Sequence, residues 1–296
     1  MSMFTSLGYI AVTGPVGDWT DFAADKLGAS ADRSEPGDLW IRVDEYAYRI
    51  IVEEGPARGP QSLVAMGFTV AGREGLDRLT TALTDANVPF ASDDERRRRR
   101  GVDALVIFDD PDGNTIEAVV GMPTADTAFI SPAGVDFVTG ELGVGHVFMT
   151  GAGDPADLAA WYRDVLGFKL TDTIALKALG SDDDAEFLHC NPRHHSIAVA
   201  RSPMLPPGLG HLMLEVVDFS TLGRMMTHAQ ETANEDIIIT LGEHSNDKMT
   251  SYYITTPSGF DIEYGCNGLL VDDAVWKPAH HEILSNWGHT YVGQPH

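Results

Sequence analysis

The feature that most constrains this chain is that it is written twice. Residues 7–14 read Leu-Gly-Tyr-Ile-Ala-Val-Thr-Gly, and residues 144–151 read Val-Gly-His-Val-Phe-Met-Thr-Gly. Both are short apolar runs with Gly in second place and a closing Thr-Gly, which predicts a strand ending in a turn. A helix pattern follows each. In the second copy Asp154 can cap, Pro155 suits the first turn, and Leu158, Trp161, Tyr162 and Val165 fall at helical spacing before Gly167. In the first copy Asp18 is the expected cap, Trp19, Phe22 and Leu27 the apolar positions, and Gly28 the stop. The copies end alike as well. Asp110 to Glu117 and Thr256 to Glu263 are each a Pro-x-Gly turn feeding a strand that carries a Glu. Midway, Val64–Val70 and Gly210–Val216 each read as a strand that precedes a helix candidate, Gly75–Leu83 and Phe219–Ala229. The same 52 positions separate Ala65 from Glu117 and His211 from Glu263, the mark of a true repeat. Two α+β halves are expected, joined by residues 122–143.

Length agrees, since 296 residues correspond to about two domains. The net charge of −24 divides as −12 on residues 1–145 and −12 on 146–296, so acidity belongs to the whole exterior. A field of that sign repels phosphate backbones, and no nucleic-acid partner is expected. No apolar run is long enough for a membrane span, and the first residues lack a signal-peptide pattern. Cys190 and Cys266 make no disulfide framework, so a cytoplasmic, reducing location and buried thiols are expected. Asp93-Asp94-Glu95 followed by Arg96 to Arg100 reads as a solvated charged segment, at most a subunit contact.

Histidine breaks the symmetry. All 11 lie at or after position 146. Overlaid, the repeats set His146 against Tyr9, His211 against Ala65, and Glu263 against Glu117. Two nitrogens and a carboxylate on predicted strands are the ligand set of a facial triad, which leaves coordination positions open. A lone strand histidine is most often structural. Three ligand types at matched positions, with both nitrogens lost from the sister half, favour one metal per chain. Phe148 and Ile197, Ala198, Val199 and Ala200 flank these motifs and suggest an apolar pocket. His228 reads as solvent-facing, His280, His281 and His296 as late polar positions, and His289 as a packing or docking residue. His189 and His194 read either as structural or as supports behind the groups at the site.

The segments Gly145-His146-Val147, Phe187 to Ser196, Gly210 to Met213, Glu243 to Asp247 and Ser251 to Gly265 resemble the type I extradiol catechol dioxygenases of the vicinal-oxygen-chelate superfamily. The resemblance extends over essentially the whole chain. It implies an α+β fold of four βαβββ modules paired into two homologous barrel-like domains, the glyoxalase/bleomycin-resistance/extradiol dioxygenase fold. Residues 1–135 would form a domain without metal, and 136–296 the catalytic domain with a C-terminal extension. It implies Fe(II) rather than Mn(II) on His146, His211 and Glu263. His195 matches the acid/base histidine of the family, a choice over His194 that spacing alone leaves open. His244 and Tyr253 match the groups that hydrogen-bond the catechol, and Phe148, Phe187, Ala198, Asn246 and Asp247 match or flank the pocket. Lys248 departs from the family's pattern. The implied reaction is ring cleavage of a substituted or bicyclic catechol, such as 2,3-dihydroxybiphenyl, with insertion of both atoms of O₂. A homo-oligomer is implied too, octamers occurring in the family. The alternatives are another metal-dependent isomerase, lyase or transferase of this fold, and a metal-free binder of aromatic compounds.

Overall fold

In the computed structural model, which describes residues 2–34 and 37–293, the Thr-Gly that closes the first strand of each repeat marks where the halves meet. His296 lies outside the described residues. The first half runs β1 (Phe4–Gly14), α1 (Val16–Phe22), β2 (Ser30–Arg33), β3 (Leu39–Arg42), β4 (Ile50–Glu54). It continues with β5 (Leu63–Val70), α2 (Gly72–Asp85), β6 (Phe90–Ala91), α3 (Asp94–Arg100), β7 (Ala104–Asp109) and β8 (Thr115–Val120). The second half runs β9 (Gly145–Thr150), α4 (Pro155–Asp164), β10 (Lys169–Ala175), β11 (Asp184–His189), β12 (Ile197–Ala200). Then come β13 (Gly208–Glu215), α5 (Phe219–Ala233), β14 (Ile237–His244), β15 (Thr250–Thr255) and β16 (Asp261–Cys266). These are four βαβββ modules, with α3 inserted in the second. The additional strands β17 (Ala279–His281) and β18 (Ser285–Trp287) close the chain.

The first half forms an eight-stranded mixed sheet, ordered β2-β3-β4-β1-β5-β8-β7-β6. The second forms a ten-stranded one, ordered β17-β10-β11-β12-β9-β13-β16-β15-β14-β18. The centres correspond in register. Tyr9 pairs Gly67, and Gly67 pairs Glu117; His146 pairs Met213, and Met213 pairs Glu263. Ala11 pairs Ala65 where Phe148 pairs His211. The overlay drawn from sequence is therefore correct residue for residue.

The local patterns act as expected, with one exception. The Asp154 carboxylate accepts from the Ala156 amide at 2.9 Å, and α4 begins at Pro155. Asp18 does not cap α1. That helix starts two residues earlier, behind Pro15, with no side-chain cap, and Asp18 sits in its first turn. A π turn, Ala23–Leu27, then carries the chain to Gly28, whose φ of 67° needs glycine.

Each half lays its Pro-x-Gly turn on the other half's first strand and helix. Ser258 accepts from the Trp19 indole at 2.8 Å and donates to the Thr13 carbonyl at 2.7 Å. At the matching place Tyr162 donates to Asp110 at 2.9 Å. A Cβ on Gly14 would lie 2.4 Å from Ser258 Oγ, and one on Gly151 would lie 1.7 Å from Asp112 Oδ2. The repeated Thr-Gly is a close-approach site. One apolar core, from Phe4 and Trp19 through Phe168 to Phe260, runs across both halves.

Candidate metal centre

Side chains alternate faces along a strand, so residues in one cross-strand row share a face. His146 on β9, Met213 on β13 and Glu263 on β16 form such a row at the middle of the second sheet. His211, two residues before Met213, shares that face. The three donors converge. His146 Nε2 lies 3.1 Å from Glu263 Oε2, His211 Nε2 lies 3.2 Å from the same oxygen, and the two nitrogens are 3.4 Å apart. Donors about 2.1 Å from a first-row metal and at right angles to one another stand about 3.0 Å apart. The residues present therefore fit one such ion, bound on a single face with the opposite positions open. Among the described residues a second buried group, His194, His195 and Asp247, also gathers three donors, but more loosely, with His195 Nδ1 4.0 Å from Asp247 Oδ2.

The surroundings set the protonation of the donors. Burial pushes the Glu263 carboxyl upward, but hydrogen bonds from His146, His211 and His244 outweigh it and hold the group well below the usual carboxylate range. Burial drives His146 down to about 4, against the pull of Glu263. Both groups are thus in the form that binds metal. The second oxygen of Glu263 is held as well. Ser251 donates to Oε1 at 2.7 Å. His289 lies behind, with Nε2 3.1 Å from the Ser251 carbonyl and Nδ1 2.7 Å from Ser285 Oγ.

The other site residues named from sequence gather around this centre. His195 packs against His146 with ring centroids 3.6 Å apart and planes tilted by 32°, and burial drives it well below its ordinary range, which keeps it neutral. His244 Nε2 lies 2.7 Å from the Tyr253 hydroxyl, and His244 Nδ1 donates to the Leu284 carbonyl at 3.2 Å. Burial opposes protonation of His244, but Glu263 raises it to about 9. Burial and the neighbouring Glu263 hold the Tyr253 phenol far above its range, so it remains a donor. Asn246 and Asp247 are buried in the β14–β15 turn. Asp247 Oδ1 accepts from Met249, its Oδ2 is 4.0 Å from His195 Nδ1, and Asn246 Nδ2 is buried with no hydrogen-bond partner. Lys248 is the exposed tip of that turn, in left-handed backbone at φ 60°. It donates to the Ser245 carbonyl at 2.7 Å.

The apolar residues form a row. Phe187 pairs Ala198, Ala198 pairs Phe148, and Phe148 pairs His211. Phe148 lies parallel to His211 at 5.1 Å and 9°. The row carries a hydrophobic strip across β11, β12 and β9 to a metal-ligand position. A groove of about 1050 Å³ elsewhere, lined by Arg49, Lys169, His189 and Asp273, contains none of these groups.

In the first half the matching place is filled by a different cation. Arg100, 1% exposed, forks onto Glu117 at 3.0 and 3.1 Å, Arg96 adds a contact at 3.1 Å, and Tyr9 donates to the same carboxylate. This corrects the solvated reading of the Arg run. A buried carboxylate that has lost its metal partners needs a counter-charge, and α3 delivers it. His228, though exposed, pairs with Asp25 of the first half at 2.7 Å, and Cys190 is only half buried. Sequence reasoning missed Ser251 and Asp172. Ser251 could have been found two residues before Tyr253, on the same strand face.

The comparisons agree with this geometry. The Glyoxalase/Bleomycin resistance protein/Dioxygenase superfamily matches residues 143–264, and the family Dihydroxybiphenyl dioxygenase BphC D1 matches residues 7–55. An iron-dependent extradiol dioxygenase of Rhodococcus jostii (strain RHA1) is 36% identical, over 97% of this chain and 97% of its own length. A biphenyl-2,3-diol 1,2-dioxygenase of Paraburkholderia xenovorans (strain LB400) is 39% identical, over 97% and 95%. The crystal structure of BphC, a halotolerant catechol dioxygenase, superposes with a TM-score of 0.88 at 29% identity, over 98% of this chain and 95% of that one.

Proposed function

Because the chain belongs to the iron-dependent extradiol dioxygenases of the Glyoxalase/Bleomycin resistance protein/Dioxygenase superfamily, we propose that its substrate is an aryl-substituted or bicyclic catechol of the 2,3-dihydroxybiphenyl kind. In this reading His146, His211 and Glu263 hold the iron. The observation that carries it is the apolar row Phe187–Ala198–Phe148 ending at His211, which suits a second ring beside a chelating diol. Fe(II), when bound, supplies a redox centre with open positions at which a catechol and O₂ can meet.

The protein's own part is positioning and proton handling. A catechol must lose protons to chelate, and His195, kept neutral by burial beside the ligands, can accept one and return it later. The His244–Tyr253 pair, 2.7 Å apart, offers donors to a bound diolate and holds it in one orientation. Asp247, 4.0 Å from His195 Nδ1, is read as a pocket-side group, and the unpartnered Asn246 amide next to it in sequence as a donor for a ligand. The chain divides at about residue 135/136 into a metal-free half and a catalytic half, the register match of the two sheets supporting that division. Among the described residues no helix is long and apolar enough to cross a membrane, and a cytoplasmic homo-oligomer fits the two unpaired cysteines and the uniformly acidic exterior.

The test is direct. The protein is reconstituted with Fe(II) without air, 2,3-dihydroxybiphenyl, 3-methylcatechol or catechol is added, and O₂ is admitted. A yellow ring-fission product with one O₂ consumed per catechol is expected, with the highest kcat/KM for the biphenyl diol. A clear preference for the unsubstituted catechol would overturn the substrate assignment.

A further inference from the structure

An imidazole can act as a base only through a nitrogen that carries no proton, and a neutral ring does not itself decide which nitrogen that is. Around His195 the neighbours decide. His195 Nδ1 lies 3.1 Å from Nδ1 of His194, and two facing nitrogens of neutral rings share one proton. His194 Nε2 lies 2.9 Å from Asp172 Oδ2. Asp172 is 1% exposed, and its other oxygen accepts the Ala279 amide at 2.7 Å. An ionised carboxylate can only accept, so a neutral His194 carries its proton on Nε2. Its Nδ1 is then a lone pair, the shared proton belongs to His195 Nδ1, and His195 Nε2 is bare. The remaining neighbours agree. His281 Nε2, 3.5 Å from Asp172 Oδ2, faces the same carboxylate, and Asp247 Oδ2, 4.0 Å from His195 Nδ1, favours a proton there. The ring planes are fixed by edge contacts, Trp276 on His194 at 5.6 Å and Phe187 on His195 at 4.9 Å. Thr171 holds the His194 carbonyl at 2.7 Å.

We propose that Asp172 and His194 are positioning residues which fix His195 in the tautomer with Nδ1 protonated and Nε2 free. This rests on the reading of His195 as the proton acceptor. A proton leaving the catechol hydroxyl goes to His195 Nε2. The imidazolium so formed donates from Nδ1 to His194, whose own Nε2 proton faces Asp172. No atom or electron moves beyond that proton.

The decisive variant is Asp172→Asn. The Ala279 amide still requires an oxygen at the Oδ1 position, so the new NH₂ points at His194 and turns Nε2 into an acceptor. The His194 proton moves to Nδ1, and that of His195 is pushed to Nε2. With 2,3-dihydroxybiphenyl, kcat is expected to fall at least ~10²-fold, toward the ~10⁴ that reversing the tautomer costs a hydrolytic triad. Fe(II) affinity of the apoprotein should stay near wild type, whereas anaerobic chelation of the catechol, which needs that proton accepted, should weaken. Nitrogen NMR of Zn(II)-loaded wild-type protein labelled at histidine reads the tautomer with no variant, and a proton on His195 Nε2 there would overturn the relay. So would an Asp172→Asn enzyme as fast as wild type while His195→Ala is slow, which leaves the role of His195 intact. If His195→Ala itself turns over as wild type, the role of His195 falls and the relay with it.

Discussion

Arg100→Met tests the claim that a guanidinium does in the first half what a metal does in the second. Arg100 and Glu117 are 1% and 0% exposed and meet in a two-pronged contact at 3.0 and 3.1 Å. Removing one partner of a buried ion pair costs about 3–5 kcal/mol, because the other charge is stranded. Two observations lower that figure. Arg96 remains 3.1 Å from Glu117, and Arg100 Nη1 is a buried donor without a partner, whose removal relieves about 1 kcal/mol. A loss of about 2–4 kcal/mol is therefore expected, read from denaturant midpoints of the metal-free protein. Glu117→Gln added to Arg100→Met should recover much of it, since no charge is then stranded. Iron content should not change, because α3 lies against the other sheet. Full stability in Arg100→Met, or a double variant no more stable than the single, would refute the counter-ion argument.

His146→Ala and Glu263→Ala should lose iron on gel filtration whereas Tyr9→Ala keeps it, and equal iron loss in all three, by metal analysis, would break the assignment of one metal per chain. Ser251→Ala removes the 2.7 Å hydrogen bond to Glu263 Oε1 and should weaken Fe(II) binding by about 10–100-fold, as loss of an outer hydrogen bond does elsewhere; titration of the apoprotein checks it. Gly14→Ala drives a Cβ to 2.4 Å from Ser258 Oγ, which Trp19 and Thr13 hold in place, and should cost about 1–3 kcal/mol. Gly151→Ala meets only the exposed Asp112 carboxylate, which can swing aside, so its unfolding midpoint should fall less. The combined variant Tyr9→His, Ala65→His, Arg100→Met rebuilds the triad around Glu117, and Co(II) titration should show two sites per chain in place of one.

The metal trio was legible because its signal is periodic. Repeats of equal spacing carry a register with them, and a register fixes which residues share a row and a face. Of the apolar strip, the sequence marked Phe148 and Ile197–Ala200 as flanking positions, and the strand register then joined Phe187, Ala198 and Phe148 into a row to His211. The Arg run was misread because a charge block has no period. Asp94 and Glu95 at the start of α3 and arginines toward its end suit a solvated helix dipole, and nothing in that pattern says that the last arginine turns inward. His194 and His195 are adjacent in sequence and nearly identical in burial. What separates them is Asp172, 22 residues from His194 and brought to it by strand β10.

The amino-acid sequence by itself determined the duplicated α+β architecture and picked out His146, His211 and Glu263, the trio that the fold brings together. Each of these is written in local pattern and repeat spacing, which survive without coordinates. Only the tertiary structure decided what neutralises Glu117, which oxygen of Glu263 Ser251 holds, and that Asp172 stands behind His194 and His195. Those depend on hydrogen bonds and ion pairs whose strength is set within a few tenths of an ångström, between groups the chain brings together only on folding.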